Sequence, residues 1–407
     1  MLATDLATAS GTVTAGSTSQ HASPVLAEAD RLMTVCNSCR YCEGLCAVFP
    51  AMELRRAFSD GDLNYLANLC HNCGACYYDC QFSPPHPFDV NVPKVLAKVR
   101  GDSYARYAWP HALSGLFARN GVVIASAAAL GVAAFVGGFV AWHDPATLLG
   151  VHTGPGAFYR LMPHNAMALL FGIAFGYAVL AIGFGVRAFW RDIGGAPATL
   201  RDPRSIWRAM RDAGRLRYLD GGGAGCVNAD ETPTDPRKIY HHLTFYGFLL
   251  CFASTSTATL YHYLLGLEAP YPPYDLPVVL GTVGGIGLVV GPLGLLKAKW
   301  ARDPALLDEE RYGMDVAFIL MLFLTSVTGL LLLVLRATPA MGLLLAVHLG
   351  VAFALFVTMP YGKFVHGIYR YMALVRYARE RFDEFESPPR TVAVPMAATT
   401  GQGGQRR

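Results

Sequence analysis

Six long stretches of this 407-residue chain carry no Asp, Glu, Lys or Arg: about 120–142, 164–186, 241–266, 276–296, 316–335 and 340–362. Each is long enough for a helix to cross the roughly 30 Å hydrocarbon core of a bilayer. Their Gly and Pro residues are tolerable, because neighbouring helices re-satisfy freed backbone groups. Composition agrees: only 15% of residues are charged and mean hydropathy is +0.33, against about a quarter charged in soluble domains. An all-α protein with a six-span transmembrane helical bundle is predicted, rather than buried helices of a soluble fold. The net charge of +4 is small and its positive part flanks the apolar runs, which speaks against nucleic-acid binding.

Eight of the ten cysteines fall into two runs. Cys36, Cys39, Cys42 and Cys46 have the spacing C-x2-C-x2-C-x3-C, and Cys70, Cys73, Cys76 and Cys80 repeat it. This is the spacing of bacterial two-cluster ferredoxins. Three close thiolates wrap one corner of a cubane, and the fourth points to a second cubane. The expected sets are Cys36, Cys39, Cys42 and Cys80 for one [4Fe–4S] cluster, and Cys70, Cys73, Cys76 and Cys46 for the other. Ala47 and Gln81 replace the Pro that usually follows the fourth Cys, with Pro50 and Pro84 a little later. Structural zinc prefers two separated pairs, and disulfides are rare in a cytoplasmic domain. Helical character in 47–69 and 92–100 predicts an α-helical two-[4Fe–4S] ferredoxin-type domain over 31–110. Residues 1–30 read as a disordered leader, since no charged start and apolar run mark a signal peptide. Residues 111–380 form the membrane domain, and 381–407 read as a disordered tail.

Charge asymmetry sets the orientation. Residues 187–240 carry ten Lys or Arg, 297–315 four, and the segment from Lys363 onward eight, whereas the loops on the other side contain only Arg160 and Arg336. Both termini and the cysteine head are therefore expected on the cytoplasmic side of the inner membrane. Arg204, Arg208, Arg211 and Arg215 recur at helical spacing, as in a basic amphipathic helix on the inner leaflet or a docking surface. Gly221–Gly225 lacks the context of a dinucleotide fingerprint and reads as a tight loop, and Cys226 and Cys251 as structural cysteines.

Histidines mark a second cofactor. His348 and His366 are 18 residues apart, about five whole turns at 100° per residue, on what reads as one last helix some 27 Å between them. The third span offers His241 and His242 at its start and His262 near its end; His241 is about 60° out of phase with His262, His242 about 160°. Antiparallel spans place His241 or His242 level with His366, and His262 level with His348. Two facing pairs predict one or two bis-His haem b groups. His111, His143, His152 and His164 lie at span ends or in loops; His164 is an alternative to His262 or a quinone contact. His242 and Asp315 are candidate proton donors.

The runs CNSCRYCEGLCAVFPA and CHNCGACYYDCQFSPPHPFDVNVP, with GGGAGC, RKIYHHLTFYGF and YHY, resemble the tricarballylate-utilisation (citrate-utilisation) protein B family over about 30–380. The resemblance implies two [4Fe–4S] clusters at the eight cysteines and a membrane protein that reoxidises the flavin of an FAD-dependent dehydrogenase acting on tricarballylate, passing electrons to quinone. The run HLGVAFALFVTMPYGKFVHGIYR is also similar to the haem-bearing helix of the respiratory nitrate reductase γ subunit, which implies His348 and His366 as haem ligands. An electron-transfer conduit is thus expected. The alternative is an iron–sulfur membrane anchor or redox sensor without quinone chemistry. The Cys-Cys-Gly motifs of a heterodisulfide-reductase-type catalytic subunit are missing.

Overall fold

In the computed structural model, residues 21–223, 225–227 and 236–384 are described. The expected leader up to residue 20 and the tail beyond 384 lie outside them. Among the described residues every regular element is helical. The head contains α1 (Pro24–Cys39), α2 (Val48–Glu53), α3 (Asp60–Leu69), the single turn α4 (Ala75–Tyr78) and α5 (Val92–Arg106). Local signals account for the boundaries. Ser23 accepts from the Leu26 N–H ahead of Pro24, and α1 ends where Arg40 takes φ 57°. Ser59 and Asp62 form a reciprocal capping box on α3. Asn91 caps α5. The head begins at Pro24, earlier than the boundary expected near residue 31, because Ser-Pro opens a helix whose Leu26, Ala29, Leu32 and Met33 are buried.

The membrane part follows as α6 (Asn120–Trp142), the single turn α7 (Pro145–Leu148), α8 (His164–Asp192), the basic α9 (Pro203–Gly214), α10 (Pro236–Leu265), α11 (Leu276–Trp300), α12 (Tyr312–Leu335) and α13 (Met341–Thr358), then α14 (Val365–Glu384). Among the described residues six helices are long and apolar enough to cross a membrane: α6, α8, α10, α11, α12, and α13 with the short turn through Tyr361. Small residues bring backbones together. A Cβ on Gly284 of α11 would lie 2.8 Å from the Gly247 carbonyl oxygen of α10, and one on Gly131 of α6 would lie 2.6 Å from the Gly350 oxygen of α13. Large apolar side chains such as Val122, Leu130, Leu169 and Ile173 face outward, as a lipid-facing surface requires.

One expectation fails here. His348 and His366 do not share a helix: α13 ends at Thr358, a 3-10 turn spans Met359–Tyr361, and α14 starts at Val365. Pro360 lacks the N–H that a continuing helix needs, so counting 100° per residue across it has no meaning. α14 instead packs on α3, α8 and α9, fixing the head to one end of the bundle.

Candidate functional site

The cysteines sit at helix ends and turns. Cys36 and Cys39 lie in the last turn of α1, Cys70 caps α3, and Cys76 lies in α4. Cys36, Cys39, Cys42, Cys76 and Cys80 line one cavity. Burial and then the neighbouring thiols push Cys36 and Cys42 up to about 12. Cys46 and Cys76 are also raised, chiefly by burial, with Cys70 and Cys73 among the charges they face. The neighbours of Cys36 and Cys42 include Cys39 and Cys80, and those of Cys46 and Cys76 include Cys70 and Cys73. Such raised thiols lose their protons only when a cation replaces them. Among the described residues no three His, Cys, Asp or Glu groups are arranged to hold a single metal ion. The thiols ring a space instead. The Asn72 and Phe82 N–H groups approach the sulfurs of Cys70 and Cys80, each at 3.4 Å.

Cys39 is exposed whereas Cys70 is buried. The other six cysteines of the two runs are half-buried. The glycine loop covers the second set: the Val227 N–H donates to the Cys73 carbonyl at 3.0 Å, and Gly221 and Gly222 take φ of 67° and 79° against Cys73 and Leu45. A Cβ on Gly222 would lie 2.4 Å from the Leu45 oxygen. Covering the second set is a role that sequence reasoning missed. The loop's signal was its run of glycines, which no spacing rule ties to Cys73.

Beneath this loop the His241 and His366 rings face each other, with centroids 6.2 Å apart and planes at 70°. His366 Nδ1 bonds the Lys363 carbonyl, and His241 Nδ1 is buried without a hydrogen-bond partner. His242 turns away and stacks on Tyr246. At the other end of α10, His262 stacks on His164 at 3.5 Å. His348 is instead held by the Thr328 hydroxyl, 3.0 Å from Nδ1. The structure therefore brings His241 to His366 and His262 to His164, while His348 meets α12. Asp315 is clamped between Lys299 at 2.7 Å and Lys363 at 2.8 Å.

Sequence reasoning also passed over the arginines at this junction. Arg370 donates to the carbonyls of Asn68 and Cys70, and Arg237 to those of His71 and Asn72. Their signal was present: Arg237 precedes His241 by four residues, and Arg370 follows His366 by four, so each shares a helix face with its histidine.

A cysteine-rich ferredoxin-like head seated on six membrane-length helices defines a class of membrane-integrated iron–sulfur protein. Comparison with known proteins makes this particular. The model described as Citrate utilization protein B Fer4-like domain matches residues 29–106, and that described as Citrate utilization protein B matches 115–385. An Escherichia coli protein named Citrate utilization protein B is 50% identical over 356 residues, covering 87% of this chain and 92% of its own. No solved structure matches the chain. The chain belongs to the citrate utilization protein B family, as its motifs implied.

Proposed function

We propose that this chain carries electrons from a reduced flavoprotein, an FAD-dependent dehydrogenase of the tricarballylate type, to membrane quinone. The observation that carries the reading is the pairing of His241 with His366, one helical turn from Arg237 and Arg370, which bond the backbone of residues 68–72. With ring centres 6.2 Å apart, His241 and His366 are the pair that would hold haem b. The two cysteine sets would hold [4Fe–4S] clusters and His241 with His366 would hold haem b, which would supply one-electron carriers between flavin and quinone.

The chain's own residues hold and orient these groups. The Lys363 carbonyl fixes the His366 tautomer and leaves Nε2 for a metal. The unpartnered His241 nitrogen is a polar demand that a bound group answers. For an outer haem, which His262 and His348 would hold, the supporting feature is Thr328, whose hydroxyl fixes His348 Nδ1 and would leave Nε2 for a metal. That site needs His262 to leave its stack on His164. The exposed Cys39 end of the head is the docking face for the flavoprotein. Head, α9 and α14 pack at one end of the bundle and carry its basic residues, which supports an inner-membrane protein with both ends of the chain cytoplasmic.

Purified protein should contain iron and acid-labile sulfide, with a haem b spectrum that added quinone reoxidises. His366→Ala should remove the inner haem's share of the signal and leave sulfide unchanged. Full haem content in that variant removes the inner-site assignment. Clusters with no haem at all favour the membrane anchor or redox sensor.

A further inference from the structure

Four arginines from separate parts of the chain converge on residues 67–73. Arg100 of α5 donates to the carbonyls of Ala67 and Cys70 at 3.2 and 2.6 Å. Arg370 of α14 donates to those of Asn68 and Cys70 at 3.2 and 2.9 Å. Arg237 of α10 reaches His71 and Asn72, both at 2.9 Å. Arg302, just past α11, reaches Asn72 at 2.9 Å and Val227 at 2.7 Å. Arg100 is buried and the others half-buried. Crowding cations in low dielectric is costly unless an opposite charge is near. Groups able to carry that charge beside Arg100 and Arg370 include Cys70, and beside Arg302 include Cys73. Both belong to the second cysteine set.

We propose that this arginine ring is the counter-charge of the second cluster and holds its reduction potential above that of the first. The inference rests on the reading that both cysteine sets hold clusters. A thiolate-ligated cluster is an anion, and reduction adds one more negative charge, so fixed positive charge nearby favours the reduced form. The first set has different surroundings: Cys39 is open to solvent and Cys42 faces Asp79. An electron arriving at the exposed end of the head is therefore drawn toward the bundle. Arg237 and Arg370 lie one helical turn from His241 and His366, so the helices that present the imidazoles also carry two of the tuning charges.

The test is a redox titration of the purified full-length protein, followed by electron paramagnetic resonance. Cys42→Ser identifies which of the two cluster signals belongs to the first set. The other signal should titrate at the higher potential. Arg370→Gln, Arg237→Gln and Arg100→Gln should each lower its midpoint and leave the first signal in place, and Arg370→Lys should restore most of the shift. Unchanged midpoints, equal shifts in both signals, or equal losses in the Gln and Lys variants overturn the proposal. Iron and sulfide assays on the same samples identify any variant that fails to assemble, and the three separate positions keep the test decisive. Wild-type protein lacking clusters would refute the parent reading rather than the ring.

Discussion

Gly284 shows how little room single residues have in the bundle. A Cβ there would meet the Gly247 oxygen at 2.8 Å and the Cys251 nitrogen at 2.9 Å, both backbone atoms that cannot step aside. Gly284→Leu should therefore destabilise the protein by about 1–3 kcal/mol, the usual range for overpacking, or more if α10 and α11 separate. Thermal unfolding in detergent reads this, and an unchanged midpoint would mean that the two helices can slide apart at no cost. The glycines of the fourth span leave room for close helix contact. The position of α10 makes that contact at Gly284 and Gly287, whose neighbours are the Gly247 and Leu243 carbonyl oxygens.

Among the elements, α14 joins the two halves of the molecule. Its Glu380 accepts from Arg55 at 2.6 Å and from the Tyr65 hydroxyl at 2.8 Å, tying α14 to the head. Arg55 is only 8% exposed and also pairs with Asp62 at 2.7 Å. Glu380→Ala leaves that guanidinium partly uncompensated, and the expected loss is about 2 kcal/mol, in the range of hydrogen bonds to charged groups. Denaturant unfolding of the full chain, followed by the cluster absorbance, should show the head released earlier than in wild type. The sequence offered no hint of this contact, because its partners are 325 positions apart. The break before α14, at Pro360, is shown by the fold, in which α14 leaves the bundle to lie against α3.

Across the whole molecule, the head, α9 and α14 share one end, and the loops bearing Arg160 and Arg336 lie at the other. Single cysteines introduced beside Arg160 or Arg336, labelled in intact cells with an impermeant thiol reagent, should react. Cysteines introduced in α9 should react only after the membrane is opened. The reverse pattern would invert the topology and place the cluster head outside. The expected orientation rests on counts of charge around uncharged runs, which need no coordinates.

The sequence by itself determined the six spans and the eight cysteines, since membrane length and cluster spacing are local properties written in consecutive residues. It also narrowed the histidines to two levels. The choice of His241 over His242 as the neighbour of His366, the stacking of His262 on His164, and the gathering of four arginines on one loop were decided by tertiary structure alone. Each depends on how separate helices rotate and approach one another, and that is set by side-chain packing between segments far apart in the chain.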